Sequence, residues 1–116
     1  MQINKDFENF AKRRLRLCRS ERQRFKVSPQ IPLEIFLLLG SNGGILPLST
    51  IYEQIPATEK AIRLHLHSLV SSGFILELTA PDDKRSKEIT FTPRGIDEFG
   101  DYVADYKLFR QQEAAE

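Results

Sequence analysis

Basic and hydrogen-bonding side chains are concentrated between residues 58 and 87 of this sequence. Lys60, Arg63 and His67 recur at intervals of three and four residues, which places them on one side of a helix. Three further basic residues follow in a short polar run after Pro81. The candidate contact residues are Thr58, Lys60, Arg63, His67, Lys84, Arg85 and Lys87. Because these side chains donate hydrogen bonds and most carry positive charge, the pattern indicates contacts with the phosphates and base edges of a nucleic acid.

The first group of contact residues lies on a predicted helix of about residues 58–72. Thr58 is placed to cap the first turn, and Gly73 can take the left-handed conformation that ends a helix. Glu59 and the basic residues are predicted to face outward. The residues predicted to pack inward are Ile62, Leu66, Leu69 and Val70.

The second group lies at the tip of a predicted hairpin. Residues 74–79 and 88–91 alternate in the manner of strands, and residues 80–88 form a charged wing. Asp83 stands two residues before Arg85. Because a carboxylate is repelled by phosphate, we expect Asp83 to brace the wing instead, by accepting a hydrogen bond from Arg85 or from backbone N–H groups of the tip.

Two shorter helices and a strand are predicted before this unit. Residues 49–55 form a short helix, for which Thr50 and Glu53 are spaced as a capping box, and this helix makes a helix-turn-helix with the next one. Residues 33–39 are apolar around most of a helix, which predicts a central place in the core. Residues 45–48 are predicted as a third strand beside the hairpin.

The two ends of the chain differ in charge. Residues 1–29 carry nine Lys or Arg against three Asp or Glu, whereas residues 97–116 carry two against six, although the whole chain has a net charge of +1. The basic face of the first helix suits solvent, phosphate or an acidic partner segment, and composition does not choose among these.

The apolar stripes of the first and last helices are predicted to pack together, within one chain or across a two-fold axis. For the two-fold case we predict that association, rather than the core of one chain, protects a defined set of side chains. These are Phe7, Leu15, Phe99 and Tyr106.

The length of 116 residues predicts one domain, with a basic N-terminal helix (1–28), a core (32–92) and a C-terminal helix (93–110). The single cysteine, Cys18, excludes an intramolecular disulfide; we expect it to be buried and inert, with a redox-active thiol as the alternative.

No apolar run suits a membrane span or a signal peptide, so a cytoplasmic protein is expected. His65 and His67 point in different directions and accompany no catalytic, metal or cofactor motif, so we expect no enzyme, metal or cofactor.

The run Asp83-Lys84-Arg85-Ser86 and the later run Thr90-Phe91-Thr92-Pro93-Arg94-Gly95 resemble the wing and exit of the MarR (multiple antibiotic resistance regulator) family. That family carries an Asp-x-Arg element in its wing and a Leu-Thr-x-x-Gly-like start of the next helix. The resemblance covers roughly residues 33–96. It implies a winged helix-turn-helix that binds DNA, with Arg85 entering a minor groove and Asp83 holding the shape of the wing. The chain is short for the family, and Lys84 stands where arginine is more usual.

The predicted fold is therefore α+β and mostly helical, a winged helix-turn-helix whose flanking terminal helices form a dimer interface. The predicted function is that of a sequence-specific transcriptional regulator that binds double-stranded DNA as a homodimer. The helix at 58–72 would occupy the major groove and the wing at 80–88 the minor groove.

The alternative is a winged-helix module that binds protein, such as an antirepressor or assembly subunit, with weak or no DNA binding. Glu59 and the net charge of −1 over residues 30–96 favour this alternative, because both oppose attraction to phosphate. A small-molecule or protein effector is possible under either hypothesis, and the sequence does not specify one.

Overall fold

The computed structural model describes residues 3–25 and 31–115, without the side chains of residues 17, 20–25, 84 and 108–115. Five helices and three strands follow one another in this part of the chain, so the predicted α+β, mostly helical fold is confirmed. The elements are α1 (Lys5–Phe25), α2 (Ile31–Ser41), β1 (Ile45–Pro47), α3 (Leu48–Gln54), α4 (Glu59–Ser71), β2 (Ile75–Ala80), β3 (Asp83–Phe91) and α5 (Pro93–Ala115).

Helix α2 is the centre of the core, as its apolar composition predicts. It packs against α1, α4 and the strands. Its buried apolar side chains are Ile35, Leu37, Leu38 and Leu39. Because these side chains point in different directions around the helix, α2 must be covered from several sides, and α1 and the winged unit supply that cover.

The three strands form one antiparallel sheet in the order β1-β3-β2. The predicted strand at residues 45–48 is confirmed as β1 over Ile45–Pro47, where Leu46 pairs with Ile89, whereas Leu48 already begins α3. Ile89 and Phe91 of β3 turn into the core together with Ile75 of β2. The opposite face of the sheet carries the exposed side chains of Ile45, Leu76 and Leu78.

A short junction joins the end of α4, the two wing strands and the start of α5. Gly73 has a φ of 82°, the left-handed conformation predicted for it. The Thr92 hydroxyl donates to the Gly73 carbonyl oxygen (2.5 Å) and accepts from the Gly95 N–H (3.0 Å), while the Thr92 N–H donates to the Phe74 carbonyl oxygen (3.1 Å). Thr92 therefore caps α5 and holds the root of the wing against the end of α4.

The predicted capping box of Thr50 and Glu53 is wrong. Helix α3 begins at Leu48, with Pro47 as its N-cap and no side-chain capping hydrogen bond. Strand β1 ends at Pro47 and leads directly into the helix, so Thr50 already lies inside the first turn. The fixed φ of proline suits this sharp change from strand to helix.

The predicted inward position of Val70 is also wrong, because its side chain is 37% exposed. The core face of α4 is formed by Ile62, Leu66 and Leu69. Val70 lies one position beyond Leu69, which rotates it by about 100° to the flank of the helix.

The terminal helices pack together within one chain. The ring of Phe7 meets that of Phe99 edge-on with centroids 6.0 Å apart, and Phe10 contacts Tyr102 (6.0 Å) and Tyr106 (5.3 Å). Leu15 is buried and Phe99 is 0% exposed in the single chain. The prediction that association rather than the core of one chain protects these two residues is therefore wrong.

Cys18 lies on the buried face of α1, as expected, and accepts a hydrogen bond from the Arg14 guanidinium (Nη1 to Sγ, 3.3 Å). Across the part of the chain with a described structure, no helix has both the length and the apolar character needed to cross a membrane.

Candidate nucleic-acid interface

Helix α4 begins with the hydrogen bond that its sequence predicts. The Thr58 hydroxyl accepts from the Ala61 N–H at 3.1 Å, so Thr58 is the N-cap. A threonine hydroxyl that accepts one hydrogen bond still has a proton to donate. Thr58 can therefore cap the helix and contact a phosphate oxygen at the same time.

The outward face of α4 is centred on Leu64 rather than on the basic residues that the charge pattern picks out. With 3.6 residues per turn, the direction opposite Ile62, Leu66 and Leu69 falls on Leu64. Leu64 is 63% exposed, more than any other large apolar side chain in the described part of the molecule. The exposed residues around it are Lys60, His67, Ser68 and Ser71. Leu64 escaped sequence analysis because an apolar residue in a helix is ordinarily assigned to the core.

Arg63 lies on the flank of this face rather than at its centre. Its guanidinium makes an ion pair with Glu59 (Nη2 to Oε1, 2.8 Å), and both side chains are 67% exposed. Arg63, His67 and Glu77 line a groove of about 270 Å³ between α4 and the sheet. Because exposed pairs of this kind stabilise a helix by only about 0.3–0.5 kcal/mol, Arg63 can leave Glu59 at little cost to reach another anion.

The wing is held by Asp83. One carboxylate oxygen, Oδ1, accepts from the Arg85 backbone N–H (3.0 Å), and the other, Oδ2, accepts from the Ser86 hydroxyl (3.1 Å). Opposite this turn the pairing of β2 with β3 shifts register between Thr79 and Ala80. A carboxylate that spans three residues in this way restricts the backbone of the tip.

The Arg85 side chain points into solvent. Its Nε lies 3.8 Å from Asp83 Oδ1, and the side chain is 96% exposed, so this ion pair is weak. Asp83 thus holds the backbone of Arg85, while the Arg85 guanidinium remains free to bind elsewhere. Lys87 is exposed on β3 opposite Thr79, whereas the side chain of Lys84 lies outside the described part of the structure.

The wing and the helix-turn-helix border a common cleft of about 550 Å³. Ser49 and Tyr52 of α3 line one wall, and Arg85 and Lys87 of the wing line the other. The described lining of this cleft includes no residue of α4, so the predicted contact residues lie on two surfaces, the outward face of α4 and the wing tip, rather than in one pocket.

Helix α1 adds a basic surface next to α3. Arg19 Nη2 donates a hydrogen bond to Gln54 Oε1 at 3.0 Å, which links α1 to α3. Lys12 and Arg16 of α1 line a groove together with Arg19 and Gln54. Also on α1, the Lys12 side chain donates a hydrogen bond to Glu8, and this bond and the positive charge of Lys5 hold the pKa of the Glu8 carboxyl below its ordinary value. Glu8 therefore stays ionised and offsets part of the positive charge of α1.

Among the residues that the structure describes, no three His, Cys, Asp or Glu side chains lie close enough together to hold a metal ion.

No protein-family model matches this sequence, and a search of curated proteins found no match. Among solved structures, YusO from Bacillus subtilis is similar, with 18% sequence identity and a TM-score of 0.65, over 92% of this chain and 75% of that one. A probable transcriptional regulator from Pseudomonas aeruginosa is 20% identical with a TM-score of 0.59, over 93% of this chain and 80% of that one.

A mutant MarR from E. coli, solved in complex with operator DNA, is 17% identical with a TM-score of 0.51, over 75% of this chain. The alignment spans 61% of the length of that chain. Further structural neighbours include a MarR-like regulator from Bacillus cereus and the transcriptional regulator SlyA. The order of the elements, the helix-turn-helix of α3 and α4 and the wing of β2 and β3 agree with these similarities, and the chain has the winged-helix fold of the MarR-family regulators.

Proposed function

We propose that this protein is a transcriptional regulator that binds duplex DNA sequence-specifically as a homodimer. Helix α4 would enter the major groove and the wing would lie at the minor groove. The observation that carries this proposal is the wing, where Asp83 restrains the backbone and leaves the Arg85 side chain 96% exposed at a cleft shared with α3. A similar fold in complex with operator DNA supports the assignment.

The two surfaces have complementary tasks in this proposal. On α4, Lys60, Arg63 and His67 donate hydrogen bonds, and an arginine can read the O6 and N7 edge of guanine. Thr58 at the N-terminus of the helix suits a phosphate, because both its hydroxyl and the helix dipole favour an anion there. Arg85 suits the minor groove, where a narrow groove has a strongly negative potential. Lys84 and Lys87 are proposed to contact the flanking backbone.

A homodimer would place two α4 helices on two half-sites of one operator. Because Phe7 and Phe99 pack against each other in a single chain, the dimer interface that we propose for the terminal helices would use other faces of these helices.

The test of the function is the salt dependence of binding to duplex DNA. We expect the logarithm of the association constant for a mixed-sequence duplex to fall steeply with the logarithm of salt concentration, with a slope of about −0.9 for each phosphate neutralised. Fluorescence anisotropy at several salt concentrations measures it. A flat response would instead favour the protein-binding module.

Substitutions of the two wing residues Arg85 and Asp83 are both expected to weaken DNA binding, but for different reasons. Arg85→Ala should weaken binding to most duplexes and reduce the magnitude of the salt slope by about one unit, because one cation is lost. Asp83→Ala removes a negative charge near DNA and should nevertheless weaken binding, because the tip loses both hydrogen bonds that restrain it. Titration of both variants against one duplex at several salt concentrations gives the two slopes.

Lys5→Ala is a suitable control for these variants, since Lys5 is 85% exposed at the start of α1 and its loss removes one charge outside the wing. Tighter binding by Asp83→Ala would contradict the bracing role. An Arg85→Ala variant with the affinity and slope of the unmodified protein would show that the wing does not contact DNA.

A further inference from the structure

Leu64 is an apolar side chain at the centre of an otherwise polar helix face. It is 63% exposed, whereas the core residues Ile62 and Leu66 on either side of it are buried. Isolated exposed leucines are common on protein surfaces, so exposure by itself assigns no role. The position of Leu64 is what distinguishes it from the exposed aliphatic residues of the sheet.

That position follows from the geometry of α4. Leu64 points away from the core, one turn from Lys60 and one turn from Ser68, near the middle of the helix. In a helix-turn-helix, the recognition helix lies in the major groove and residues of its N-terminal part contact the base edges. Leu64 is the sixth of the 13 residues of α4 and lies at the centre of its outward face. Leu64 is therefore placed to approach the base edges.

A leucine cannot donate or accept a hydrogen bond, so only an apolar group can favour it at the floor of the groove. The major-groove edge of DNA offers one such group, the C5-methyl of thymine. We propose that Leu64 is a specificity-determining residue that reads a thymine methyl group in each half-site. This inference rests on the proposed function and names the base chemistry that α4 recognises.

The neighbours of Leu64 are consistent with this assignment. Lys60 and Ser68 lie on the same face and supply hydrogen-bond donors for positions on either side of the thymine. Arg63 lies on the flank and is paired with Glu59 in the unbound chain, so it does not cover Leu64.

The experiment compares thymine with deoxyuridine, which lacks the methyl group and keeps the same base pairing. The preferred duplex is first selected from a random-sequence pool, and each thymine is then replaced singly by deoxyuridine. We expect one position per half-site at which the replacement weakens binding about fourfold, the equivalent of one buried methyl group. Leu64→Ala should bind the thymine duplex about fourfold more weakly and should no longer distinguish the two bases at that position.

Leu64→Ala is expected to fold normally, because the side chain is exposed and alanine favours a helix. Leu76→Ala is the matched control, since Leu76 is another exposed leucine, 47% exposed on the outer face of the sheet. It should retain the full preference for thymine.

Three results would overturn the inference. The first is equal binding of thymine and deoxyuridine duplexes by the unmodified protein, and the second is a Leu64→Ala variant that keeps the preference. Both leave the proposed function intact, provided that binding is salt-dependent. The third, absence of salt-dependent binding to any duplex in the pool, would overturn the proposed function and this inference with it.

Discussion

Phe99→Asp is expected to unfold the protein rather than to separate folded subunits. Phe99 is 0% exposed and its ring contacts Phe7 of α1 and Phe91 of β3, at 6.0 and 5.7 Å between centroids. A carboxylate at this place would be buried without a partner and would also leave a cavity. Such changes exceed about 4–5 kcal/mol in free energy of unfolding, close to the entire stability of many domains.

Circular dichroism with denaturant titration measures this loss, and Ala104→Asp is the matched control. Ala104 is exposed on the same helix, so its replacement adds the same charge without burying it. We expect the control to cost only about 1 kcal/mol, from the lower helix propensity of aspartate and its repulsion from Asp101. A Phe99→Asp variant that stays folded and only dissociates would restore Phe99 as an interface residue.

Gly95→Ala is expected to destabilise the protein by about 2–4 kcal/mol, although alanine normally stabilises a helix by about 1 kcal/mol relative to glycine. The added Cβ would overlap the carbonyl oxygen of Phe74 and lie 3.0 Å from Cδ1 of Phe91. The Phe74 carbonyl cannot move away freely, because it belongs to the backbone and accepts from the Thr92 N–H. The junction between α4, the wing and α5 would have to open.

Thermal and denaturant unfolding measure the effect, and Gly43→Ala provides a contrast. Gly43 has a φ of 81° with no atom within 4 Å of an added Cβ, so the substitution tests backbone strain without crowding. Its expected loss is about 1 kcal/mol. If Gly95→Ala is as stable as the unmodified protein, the Phe74 carbonyl can move away from residue 95 without a loss of stability, which would contradict this prediction.

Several turns and caps of this fold were readable from sequence because they depend on residues within a few positions of one another, although the capping box of Thr50 and Glu53 was not among them. Thr58 caps α4 and Gly73 ends it in a left-handed conformation, both as predicted. The hydrogen bonds from the Arg85 N–H and the Ser86 hydroxyl to Asp83 are equally local. In each case side-chain chemistry and chain geometry suffice, without knowledge of what packs nearby.

The sequence by itself thus determined the order of the elements, the alternation of the wing strands and the central, apolar character of α2. Periodicity also predicted the buried face of α4 through Ile62, Leu66 and Leu69, but only the tertiary structure decided how far that face extends, because periodicity sets the relative phase of side chains and not where the neighbouring elements lie. Val70, which was predicted to pack inward, is exposed for this reason. The same limit applies to Phe99, whose burial depends on Phe7 and Phe91, and to Gly95, whose lack of space depends on the Phe74 carbonyl. Contacts between elements remote in sequence arise only when the whole chain packs, and they decide what α1 and α5 cover.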